Sequence, residues 1–276
     1  MEDLMMSQKT FFEGIEVKQR EEKPREKGLT WMIDWGLGLL SQEDTLRIAS
    51  PYIDLAKVAV GISRMVSEDF LIEKNALYRR FDVEPFPGGM LLELAIHQYK
   101  KRGKDALDAA RIYYQESRRV GYTTMEVSDN VIHITPQEKR RLISLAAEEF
   151  HFKVLGEVGT KTEMTEADKM IADIDNCLEA GSWKAVLEAA EFVDREQGGL
   201  RLDLVDAVLE KFPSEQLIFE MPGPWNSGTT LSGTHDMKMY LIENLGPEVN
   251  LGNILPQDVV ELETLRLNLG VGMKLK

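Results

Sequence analysis

Ionisable side chains recur at the ends of short apolar runs. Lys57 lies in YIDLAKVAVG (Tyr52–Gly61). Glu126, Ser128 and Asp129 close YTTMEVSD (Tyr122–Asp129), and Glu157 closes HFKVLGEVG (His151–Gly159), with Lys161 just beyond. Glu188 closes SWKAVLEA (Ser182–Ala189), Glu220 closes QLIFEMP (Gln216–Pro222), and Asn250 and Asn253 belong to VNLGNI (Val249–Ile254). Asp34 adds a carboxylate from a fifth run, LTWMIDWG (Leu29–Gly36). Carboxylates from five runs converging on one mouth would repel one another unless lysines, arginines or a divalent cation neutralised them. Hard oxygen ligands at a polar mouth suit Mg²⁺. The histidines show no H-x-x-x-H spacing, which argues against zinc.

Lysine can neutralise charge, orient an anion or, with a lowered pKa, give up a proton. Lys57 sits inside an apolar run, where a lysine is costly unless it has a partner or faces a polar mouth. Lys161 lies in a loop, where a solvated side chain is the ordinary outcome. The Gly-, Ser- and Thr-rich segment from Met221 to Asp236 is a candidate phosphate cradle, a lid or a plain surface insertion.

These residues need strands to carry them. With FDVEPFPGG (Phe81–Gly89), the apolar runs number eight, and helical segments alternate with them. EDFLIEKNALYRR has helical spacing, and PQEKRRLISLAAEEF places Pro136 in a first turn. TEADKMIADIDNCLEAG offers Thr165 as a cap and Gly181 as a stop, and SGTHDMKMYLIENLG also ends on glycine. Repeated strand–helix–strand units imply parallel strands with right-handed crossovers. Eight units in 276 residues fit an α/β fold, a (β/α)₈ TIM barrel, better than an open doubly wound sheet. No G-x-G-x-x-G follows the first run, so a dinucleotide site has little support. Residues 1–22 read as a charged arm and 23–276 as a single barrel domain.

The bulk properties narrow the partners. A net charge of −14 disfavours nucleic acid and anionic membranes, and leaves small anionic substrates possible where local positive charge meets them. No apolar run approaches the ~20 residues of a membrane helix. The single cysteine, Cys177, reads as a small buried hydrophobe, and the N-terminus with Glu2 and Asp3 does not resemble a signal peptide, so a cytoplasmic location is expected.

The segments KPREKGLTWMIDWG, YIDLAKVAVG, PGGMLLELA, MEVSDN, VLGEVGTK, LIFEMP, GPEVNLGNI and ELETLRLNLG, in order from about Lys23 to Gly270, resemble the signatures of the phosphosulfolactate synthase family. The resemblance implies a (β/α)₈ barrel, a homo-oligomer, and Mg²⁺-dependent addition of sulfite to phosphoenolpyruvate. The product is (2R)-phospho-3-sulfolactate, an intermediate of coenzyme M synthesis. Sulfite attacks C3, charge builds on the substrate carboxylate, where a metal stabilises it, and a general acid protonates C2. On this resemblance Lys161 is the acid, with Glu157 and Lys57 also catalytic. Glu126, Glu188 and Glu220 hold the metal, and Arg25 helps to hold anionic groups. Ser128, Asn250 and Asn253 join Arg25 as substrate contacts. Three positions that are usually basic in the family carry Trp35, Thr160 and Ala190 here. The alternatives are a related barrel enzyme adding a different nucleophile to an enol-phosphate or similar acid substrate, and a non-catalytic stress-related or binding barrel.

Overall fold

The computed structural model describes residues 11–17, 20–159, 165–192 and 201–272. Eight strands, β1 (Thr30–Asp34), β2 (Leu55–Val58), β3 (Glu84–Pro87), β4 (Thr124–Val127), β5 (Lys153–Val158), β6 (Lys184–Leu187), β7 (Leu217–Glu220) and β8 (Leu251–Ile254), follow the eight apolar runs. They form one sheet in the order β3-β2-β1-β8-β7-β6-β5-β4, with parallel neighbours. The sheet curls until β3 meets β4, giving the expected (β/α)₈ barrel. Thr123 N–H donates to Pro85 O (3.2 Å) and the Thr124 hydroxyl to Glu84 (3.0 Å) across that seam. The seam is thin because Pro85 and Pro87 have no N–H to donate.

Alternation along each strand divides the core. Leu29, Trp31, Leu55, Phe86, Leu155, Val186 and Ile218 fill the barrel interior. The outward set, including Met32, Val58, Met125, Val154, Leu187 and Phe219, packs beneath the helices. Two residues beyond Leu55, Leu155, Val186 and Ile218, the side chain on the same face is Lys57, Glu157, Glu188 or Glu220. An apolar layer therefore supports a charged layer at the C-terminal ends of the strands.

The helices explain the close fit. The helix Glu68–Arg80 matches its sequence pattern, with Ser67 accepting from Phe70 N–H as its cap. Pro136 opens its helix behind a Thr135–Glu138 capping box; this helix ends at Ser144 and continues as a π turn, Leu145–Glu149. Thr165 does not cap the next helix, which spans Ala167–Glu179 behind Glu166. Both Thr165 donors, N–H (2.8 Å) and hydroxyl (2.6 Å), go to buried Glu191 instead. Gly156 lets that helix lie against β5: a Cβ there would be 2.7 Å from Cys177 Cβ. Cys177 is fully buried, as expected. No helix among the described residues is long and apolar enough to cross a membrane.

Candidate active site

Lys57 is the centre of the charged layer. Its Nζ donates to Glu126 Oε1 (2.8 Å) and Glu220 Oε1 (3.0 Å), and it lies 5.3 Å from the centroid of the Trp31 ring. Burial would lower the Lys57 pKa, but the Glu126, Glu220 and Glu157 carboxylates outweigh burial and hold it well above the usual lysine range. It is a fixed ammonium rather than a proton donor near neutral pH. Burial pushes Glu126 up to about 7; Glu157 adds to the rise and Lys57 opposes it.

Glu126 is further tied by Gly89 N–H, which donates to Oε2 (2.6 Å). Gly89 is required there, because a Cβ would collide with the Ser128 hydroxyl. Glu157, Glu188 and Glu220 form the other half of the layer. One carboxylate oxygen from each lies within 4.8 Å of the others, and all three residues are buried. A hard divalent cation fits this donor set. The structure thus groups Glu157, rather than Glu126, with Glu188 and Glu220.

The loop after β4 braces this layer. Glu93, fully buried on the helix Met90–Lys101, accepts from the Ser128 hydroxyl and from the N–H groups of Asn130 (3.1 Å), Val131 (2.7 Å) and Ile132 (3.1 Å). The loop so held brings Asn130 Nδ2 to Glu157 Oε1 at 2.6 Å. Lys139 supports the same strand end, donating to Asp129 (2.7 Å) and to the Glu157 carbonyl. Above the layer is a chamber of about 40 Å³, lined in part by Lys57, Glu126, Asn130, Glu157 and Asn253. Trp35 and Trp225 also line it and pack together, ring centroids 5.1 Å apart.

The chain matches the sequence profile of (2R)-phospho-3-sulfolactate synthase (ComA) over residues 18–271. It belongs to the phosphosulfolactate synthase family. The phosphosulfolactate synthase of Methanothermobacter thermautotrophicus is 34% identical over 259 residues, covering 91% of this chain and 92% of the relative. That of Bacillus subtilis is 30% identical over 265 residues, covering 93% and 96%. A solved structure of a truncated 3-deoxy-D-arabino-heptulosonate 7-phosphate synthase from Thermotoga maritima aligns with a TM-score of 0.51 at 12% identity, covering 82% of this chain and 74% of that one. That likeness concerns the barrel fold alone.

Against this phosphosulfolactate synthase background, the candidate residues divide by place. Lys57, Glu126, Glu157, Glu188, Glu220 and Asn253 gather at the C-terminal end of the barrel. Asn253 has φ 57°, a conformation asparagine tolerates, and its Oδ1 accepts from Trp31 Nε1 (3.2 Å). Ser128 is there too, with its hydroxyl committed to Glu93.

Arg25 and Asn250 lie at the opposite end and are corrected as mouth contacts. Arg25 Nε donates to Asp54 Oδ1 (2.8 Å), just before β2, and Asp54 Oδ2 accepts from Thr30 N–H (2.8 Å) at the start of β1. Asn250 precedes β8, accepts from Leu29 N–H (2.9 Å) and donates to Leu217 O (2.8 Å). Asp34 faces outward, where it pairs with Lys74 and accepts from Tyr78, Gly36 N–H (2.8 Å) and Leu37 N–H (2.7 Å). Lys161 and Thr160 lie outside the described residues, as does the side chain of Ala190. Sequence reasoning missed Glu93 and Asn130. Glu93 did leave a signal, an acid among the apolar residues of MLLELAIH.

Proposed function

We propose that this chain is a phosphosulfolactate synthase that adds sulfite to phosphoenolpyruvate with Mg²⁺, giving (2R)-phospho-3-sulfolactate within coenzyme M synthesis. The observation that carries the reading is the buried group Glu157, Glu188 and Glu220 beside Lys57 at the C-terminal end of the barrel. The three glutamates would hold Mg²⁺, which when bound stabilises negative charge developing on the substrate carboxylate. Lys57 holds Glu126 and Glu220 in place and presents fixed positive charge to the anions. Asn253, at the chamber wall, is a substrate contact. The Trp35–Trp225 pair forms an aromatic wall of the chamber.

Lys161 is the proposed proton donor to C2, on the family resemblance. The 221–236 loop lines a second cavity of about 340 Å³ beside the chamber, with Thr230 capping the helix Leu231–Leu245. That placement supports substrate contact there. The reading includes a cytoplasmic enzyme, consistent with one buried cysteine, and a homo-oligomer. Exposed Phe11, Phe12 and Ile15 on the N-terminal segment are compatible with subunit contact.

The test is incubation with Mg²⁺, phosphoenolpyruvate and sulfite, following phosphosulfolactate by mass spectrometry. Product that depends on all three, and that is abolished by Lys161→Ala, is expected. Absence of product together with absence of phosphoenolpyruvate binding by calorimetry overturns the reading.

A further inference from the structure

Asn130 has one end satisfied and one end not. It is 8% exposed and lines the chamber. Its Nδ2 donates to Glu157 at 2.6 Å, while its Oδ1 is buried with no hydrogen-bond partner. A buried acceptor left without a donor forfeits the hydrogen bond it had to water and is destabilising. The loop is not loose enough to explain this as slack. Glu93 clamps it through three successive backbone N–H groups and the Ser128 hydroxyl.

Among the described residues, the nearby ammonium donors are engaged elsewhere. Lys57 serves Glu126 and Glu220, and Lys139 serves Asp129 and the Glu157 carbonyl. The missing donor therefore comes from something that enters the chamber. Glu157, the carboxylate that Asn130 orients, is one of the three that group within 4.8 Å. Mg²⁺ usually keeps several of its waters, and those waters donate hydrogen bonds to acceptors around the ion. A neutral amide supplies such an acceptor without adding charge to a site already rich in carboxylates.

We propose that Asn130 completes the cation site: its N–H orients Glu157, and its Oδ1 accepts a hydrogen bond from a cation-bound water. This rests on reading Glu157, Glu188 and Glu220 as the cation ligands. Asn130 is a positioning residue, acting through Glu157 and the water.

The experiment titrates Mn²⁺, a spectroscopic substitute for a hard divalent cation, into the full chain and reads free Mn²⁺ by electron paramagnetic resonance. Melting temperatures without metal are taken in parallel. Glu157→Gln and Asn130→Ala should both weaken binding, Asn130→Ala by about 10–100-fold. Asn130→Asp, which keeps an acceptor and adds charge, should bind more tightly than Asn130→Ala. Unchanged affinity in Asn130→Ala alongside a loss in Glu157→Gln overturns the role of Asn130 and leaves the triad standing. Unchanged affinity in Glu157→Gln overturns the triad, and the role of Asn130 with it. Equal affinities of the Ala and Asp variants, tracking their melting temperatures, mark a purely structural asparagine and also overturn the proposal. Should the Ala variant fail to fold, Asn130→Ser decides, because its hydroxyl is too short to span Glu157 and an ion-bound water; natural affinity there refutes the role.

Discussion

Replacing Lys57 with methionine keeps most of the buried alkyl volume and removes only the ammonium. Two carboxylates lose a partner: Glu126 at 2.8 Å and Glu220 at 3.0 Å, with side chains 1% exposed against 10% for Lys57. Breaking a buried pair by deleting one partner costs about 3–5 kcal/mol, because the remaining charge is stranded. For a chain of this size each kcal/mol lowers the melting temperature by about 2–4 °C, so a fall of roughly 6–20 °C is expected.

The loss also carries a pH signature. Burial raises the Glu126 carboxyl from its ordinary 4.5 to about 7 in the fold, so the folded state binds the extra proton. Its contribution is fully present below about 4.5 and is lost as pH rises through about 7. Lys57 opposes that rise, so its removal extends the window above 7. The variant should therefore lose more stability at pH 8 than at pH 6, by up to about 1.4 kcal/mol per pH unit. Thermal unfolding of metal-free protein at both pH values measures this. Adding Glu126→Gln should recover part of the loss, since the stranded charge goes with it. A Lys57→Met penalty below about 1 kcal/mol, or a variant that gains stability as pH rises, would refute the reasoning.

Three further outcomes are expected. Asp34→Ala should cost about 3–5 kcal/mol, because it strands the fully buried Lys74 ammonium, yet leave Mn²⁺ affinity unchanged, since Asp34 faces away from the mouth; a thermal melt and a metal titration check both halves. Glu93→Gln should speed hydrogen exchange at the Val131 and Ile132 amides, which both donate to Glu93 Oε2, with a stability loss of about 1–3 kcal/mol. Cys177, fully buried with its thiol pushed up to about 11 by burial, should resist a thiol reagent at pH 8 in the native protein and react on unfolding.

The barrel was legible because its strands are short apolar runs separated by amphipathic helices, and the periodicities survive without tertiary information. The inward glutamates were legible for the same reason: each ends a run. Side-chain facing was less so. Asp34 follows Trp31 by three residues, so alternation alone puts it on the outer face, behind the barrel wall. Asn250 sits just before Leu251, at the start of β8 and the floor of the barrel, whereas Asn253, three residues on, reaches the mouth. Arg25 carries a charge suited to an anion, but its partner is Asp54, 29 positions along the chain. Glu93 and Asn130 depend on contacts between a helix and a distant loop, which no local pattern encodes.

The charge layer also links cation binding to anion binding. Among the described residues of the charged layer, four glutamates face one lysine, and that lysine is already engaged by Glu126 and Glu220. From these described groups alone, an approaching anion meets net negative charge. A cation meets the reverse: attraction from Glu157, Glu188 and Glu220, and a neutral acceptor at Asn130. On the proposed function, cation binding favours anion binding, because it adds positive charge among these carboxylates. On the proposed function, the acidity of the mouth is then no obstacle to two anionic substrates. It retains the ion that admits them, and Lys57 keeps the glutamates from separating before the ion arrives.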